Sequence, residues 1–125
     1  MKIDERFKKG LELFNHQEFF ECHEVIEALW LETDPKDKYR DLYKGVIQAA
    51  AALYQFKRGV LSGALGLFGS STVYLEKYKP SALGLDVQKL IREMNGYFAV
   101  LNDWDGKKEI PWQPKLLPVL NYHLD

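Results

Sequence analysis

Sulfur chemistry is nearly missing from this chain: one cysteine, Cys22, stands among 125 residues. That excludes an internal disulfide and the thiolate-rich zinc frameworks, which need several cysteines at short spacings. Charge of one sign is missing too, since 17 basic and 18 acidic residues leave a net charge of -1. Nucleic acid is therefore not an expected partner, because its binding leaves a clustered basic excess. Long hydrophobic runs are absent. The best of them, "GVIQAAAALYQF", is too short and too alanine-rich to cross a bilayer, so no membrane role is expected. The opening "MKIDERFKKG" is charged throughout and unlike a secretory signal, which makes the cytoplasm the expected location. Alternating apolar and polar stretches of strand type are also lacking.

What remains is an ordinary globular composition, 46% apolar and 28% charged, in one domain spanning residues 1–125. Helical spacing of apolar residues runs almost from end to end. A first helix is expected over residues 4–14, with Phe7, Leu11, Leu13 and Phe14 inward. Asn15 is expected to cap a second helix, with Glu18 completing a capping box and Phe14 stapled to Phe19. "TDPKD" predicts a third helix opening at Asp34 and Pro35 and closing at Arg58, with Gly59 as its left-handed stop. At about 1.5 Å per residue it would be a spine of roughly 35 Å.

A fourth helix is expected over residues 61–78. Its Gly63, Ala64, Gly66, Gly69, Ser70 and Ser71 predict close packing against a neighbour. "KPSALGLD" reads as a loop, with Asp86 or Ser81 capping a fifth helix that ends near Trp104. Three prolines in "IPWQPKLLP" exclude a helix there and predict an extended segment anchored by Trp112 and Leu116. Phe14, Cys22 and Val25 align with Phe56, Ala64 and Leu67 at a constant offset, a faint repeat resembling tetratricopeptide-type helix pairs. The expected fold is an all-α bundle of about five helices with an extended C-terminal segment.

Two ionisable residues interrupt the apolar face of the second helix. On a wheel of about 100° per residue, with Phe19 at zero, His23 lies near 40° and Glu27 near 80°, between Trp30 and Phe20. This spacing predicts a largely buried pair, each the other's nearest partner four residues along one face. "HEVIE" is not the His-Glu-x-x-His zinc protease motif. Its fifth position is Glu27, and Glu24 points about 100° away from His23. Three readings of the pair stay open. It can be a structural hydrogen-bonded pair, or half of a divalent-metal site completed by a further donor such as His16 or His123. It can also be the centre of a ligand pocket lined with Trp30, Gln48 and Arg58. Cys22 is a poor nucleophile, because nothing nearby would activate its thiol.

His23, Glu27 and Trp30 form an H-x-x-x-E-x-x-W pattern, and with them the chain resembles the bacterial and archaeal family catalogued as domain of unknown function 309. "FNHQEFFECHEVIEALW" is similar to that family's first block. "YKGVIQAAAALYQFKRGVLSGALGL", with Gln48, Tyr54, Arg58 and Gly59, is similar to its second. The resemblance implies a small all-helical fold and a motif associated with metal binding, with no established activity. Gln55 stands where that family commonly has histidine, and Val60 where it often has asparagine, so the metal-ligating set implied here shrinks to His23 and Glu27. Two function classes follow: a ligand or metal site around His23, or a protein-interaction module in which the pair is structural. A small molecule, another protein and a second copy of the chain are the partners open to it.

Overall fold

A computed structural model describes residues 2–124. Five helices carry the fold: α1 (Glu5–Asn15), α2 (Phe19–Glu32), α3 (Arg40–Lys57), α4 (Leu61–Glu76) and α5 (Val87–Phe98). Three-residue links turn α1 into α2 and α3 into α4, so each pair lies antiparallel. Packing proceeds in chain order, α1 on α2, α2 on α3, α3 on α4 and α4 on α5. The expected inner face of α1 is fully buried, and the repeat-related pairs Phe14 and Phe56, then Cys22 and Ala64, are buried alike. Among the described residues no helix is long and apolar enough to cross a membrane.

Several boundaries differ from the sequence expectation, each for a local reason. Asn15 does not cap α2. It ends α1, and its amide accepts the Leu120 N–H at 2.7 Å and donates to the Leu120 carbonyl at 3.0 Å. Glu18 takes the cap position without a side-chain bond, after Gln17 in the left-handed region. The Phe14–Phe19 contact still forms, edge to face at 5.1 Å. Asp34 and Asp37 do not open α3. Their carboxylates accept the N–H groups of Lys36 and Tyr39, both at 2.8 Å, and fold successive turns that compete with helix. The third helix is thus 18 residues, about 27 Å. Gly59 stops it as expected, at φ +81°, with Val60 N–H reaching back to the Gln55 carbonyl at 2.9 Å.

The close approach expected of the α4 glycines is made from the other side. A Cβ at Gly45 of α3 would lie 2.7 Å from Leu75, and the Ser71 hydroxyl donates to the Gly45 carbonyl at 2.7 Å. Gly66 and Gly69 instead face open space. Asp86 caps α5 by accepting the Lys89 N–H at 2.9 Å. That helix ends at Phe98 and runs into a single 3-10 turn, Ala99–Leu101. "SALGLD" is not a plain loop but a small antiparallel hairpin, β1 (Ser81–Ala82) and β2 (Leu85–Asp86). Leu83 and Gly84 form its turn, both at positive φ. The C-terminal segment lies extended across it: Asp86 N–H donates to Asn121 at 2.9 Å and His123 N–H to Gly84 at 2.8 Å. Trp112 packs on Phe19, Phe56 and Tyr97. Leu116 is not an anchor, being 64% exposed; Leu117 and Leu120 are buried in its place.

Candidate functional site: a polar seam between two helices

The buried arc of α2 consists of Phe19, Cys22, Ile26 and Leu29. Its centre lies about 80° from His23 on the helical wheel, so the histidine is on the flank rather than at the middle. The cause is that α2 packs against α1 as well as α3. Gly10 of α1 admits Ile26, since a Cβ there would lie 2.3 Å from the isoleucine side chain. A large apolar Trp30 draws the sequence-derived centre toward His23, yet Trp30 is itself only partly buried. His23 and Glu27 are accordingly half-exposed, with 31% and 39% of their side chains accessible. Burial is less than the spacing predicts. The pairing itself is present.

Imidazole Nε2 and carboxylate Oε2 are 2.8 Å apart. With Glu27 accepting the Nε2 proton, the neutral ring keeps Nδ1 as an acceptor, and the tautomer follows from that bond. Along the same flank, Phe20 sits 6.1 Å from His23 and 5.2 Å from Tyr54 of α3. At the other end, Arg40 and Lys44 of α3 lie over the Trp30 ring at 4.2 and 4.1 Å. These contacts fix an antiparallel register, and Gln48 lies on α3 between Lys44 and Tyr54. Phe20 and Trp30 thus meet Tyr54, Arg40 and Lys44 along one seam, with His23 and Glu27 between them on α2 and Gln48 between them on α3.

Three buried side-chain atoms lack a hydrogen-bond partner among the described residues: Trp30 Nε1, Arg40 Nε and Gln48 Oε1. Trp30 and Arg40 meet at this seam, and Gln48 lies one turn beyond Lys44 on α3. Such groups normally cost about 1–3 kcal/mol each when left unpaired, and in native folds each calls for a cause. Arg40 and Lys44 are also in no ion pair among the described residues, unlike nearby Asp41, which holds Lys77. Reasoning from sequence missed both cations. The α2–α3 register brings them over Trp30.

Arg58 is not beside His23. It is exposed, lies over Tyr54 at 5.6 Å, and donates to Gln55 at 3.4 Å, so it touches the seam only through Tyr54. His16 caps the C-terminus of α1, and His123 pairs with the hairpin. Among the described residues no three His, Cys, Asp or Glu side chains converge as a metal site. His23 and Glu27 offer two donors that already bond to each other, whereas zinc takes three or four protein ligands. This donor set does not fit a resident metal centre. Cys22, next to His23 in sequence, faces the core, and burial pushes its thiol up to about 12, far from a reactive thiolate.

Fold and seam together define the class: an all-helical protein with a half-exposed His–Glu pair and unpaired polar groups between two antiparallel helices. Residues 7–67, which contain the whole seam, match the family described as Domain of unknown function (DUF309). An uncharacterized protein of Bacillus subtilis (strain 168), YpuF, is 32% identical over 111 residues, which cover 87% of this chain. The chain spans 60% of the length of that curated relative. No solved structure matches the chain.

Proposed function

We propose that the protein binds a small polar ligand in the seam between α2 and α3, with the His23–Glu27 pair as its hydrogen-bonding centre. The observation that carries this reading is that Trp30 Nε1, Arg40 Nε and Gln48 Oε1, on the same helix as that pair or on its neighbour α3, are buried without a partner among the described residues. Two unpaired donors, one of them on the Arg40 guanidinium, beside the Lys44 ammonium suit an anionic oxygen, whereas Gln48 and Glu27 suit a donor such as an ammonium group. The fitting class is a small carboxylate or phosphate that also carries a hydrogen-bond donor. On binding, the Trp30 indole shifts, exchanging cation–π contacts of about 0.5–2 kcal/mol for direct hydrogen bonds.

An NMR titration with phosphate, succinate and the free amino acids tests this. The indole N–H resonance of Trp30, assigned by a Trp30→Phe variant, should shift saturably with at least one of these ligands. Those of Trp104 and Trp112 should stay in place. Shifts that spare Trp30, or that persist in an Arg40→Ala/Lys44→Ala variant, contradict the proposal.

A further inference from the structure

A second concave surface lies where α5 faces the C-terminal segment, and it shares no lining residue with the seam. A groove of about 650 Å³ lies there, lined by Gly96, Tyr97, Val100, Arg92, Lys115 and Leu116 among others. That volume is in the usual range for small-molecule sites, roughly 300–1,000 Å³. Its apolar rim is exposed, with Val100 49%, Leu116 64% and Val119 53% accessible. Gly96 stands near the end of α5 with nothing within 4 Å of where a Cβ would be. Glycine in a helix costs about 0.5–1 kcal/mol relative to alanine, and here no internal packing accounts for it. The space over that backbone is open to something from outside.

The polar groups of the groove have one character. Tyr97 is 8% exposed, and its hydroxyl accepts the Gln113 N–H at 3.0 Å. The hydroxyl's own proton has no acceptor among the described residues, so it is available to the groove. Arg92 and Lys115 are in no ion pair among the described residues, whereas Glu93, the one acid in the lining, is held by Lys89 and by the Val119 N–H, both at 2.9 Å. Free donors and free positive charge beside an apolar floor complement one kind of molecule.

We propose that this groove binds an amphipathic anion, its apolar body over Gly96 and Val100 and its acidic head toward Arg92, Lys115 and the Tyr97 hydroxyl. Decanoate is a suitable probe, with decan-1-ol as the uncharged control, both titrated calorimetrically into the full chain. Decanoate should bind one to one and at least tenfold more tightly than the alcohol. Gly96→Leu, which fills the groove while favouring the helix, should weaken decanoate tenfold or more. Arg92→Glu/Lys115→Glu, confined to the surface, should do the same, with unchanged circular dichroism as the check on folding. Absence of saturable decanoate binding overturns the proposal. Equal affinity for decan-1-ol, or affinity unchanged in the double variant, overturns it as well.

Discussion

Two single residues separate packing from pairing in this protein. Gly45 has no room for a side chain, because a Cβ would meet Leu75 at 2.7 Å, whereas Gly66 has nothing within 4 Å. Gly45→Ala should therefore destabilise the fold by about 1–3 kcal/mol through overpacking. Gly66→Ala should stabilise it by about 0.5–1 kcal/mol through helix propensity. Urea unfolding of the two variants should move the midpoint in opposite directions, and a shared direction would refute the packing described. The His23–Glu27 pair belongs to the other kind. It is half-exposed, so Glu27→Ala should cost only about 0.5 kcal/mol by urea unfolding, not the 3–5 kcal/mol typical of a broken buried pair. The i, i+4 spacing makes the pair legible in the sequence. Its partial exposure is not, because the wheel cannot register that α1 and α3 press on α2 from two sides.

At the scale of elements, the C-terminal segment is held by point contacts that respond to pH. Burial alone would raise the Glu93 carboxyl, but the Val119 N–H and the Lys89 ammonium outweigh it and hold the carboxyl below its ordinary value. A group with a depressed folded value adds stability above its unfolded value and loses it as pH falls through the folded one. The Val119 amide proton should thus titrate with a midpoint below that of an ordinary glutamate, and the step should vanish in Glu93→Gln. A midpoint at or above the ordinary value would contradict this arrangement. The helices were legible from apolar spacing and from the stops and caps at Gly59 and Asp86. The hairpin was not, because its two-residue strands are too short to alternate and its turn places Leu83, not asparagine or aspartate, at positive φ. The start of α3 was misplaced since Asp34 and Asp37 bond to nearby backbone N–H groups, a competition that composition does not reveal.

Over the whole molecule, core and seam answer to different requirements. Every buried phenylalanine, leucine and isoleucine serves one continuous core, whereas the unpaired buried side-chain polar atoms among the described residues collect between α2 and α3. On the function proposed above, these atoms lower stability in exchange for binding a ligand, as functional sites commonly do. The register that produces the seam comes from the α2–α3 packing, which is why Gln48 can be named from sequence but Arg40 and Lys44 emerge only in the fold. The denaturant stability of Gln48→Leu tests this central claim most directly. Exchanging a half-buried amide whose Oε1 is unpaired for an apolar side chain of similar size should raise stability by about 0.5–2 kcal/mol. A loss of 1 kcal/mol or more, as expected on removing an amide whose hydrogen bonds support the fold, would contradict the account.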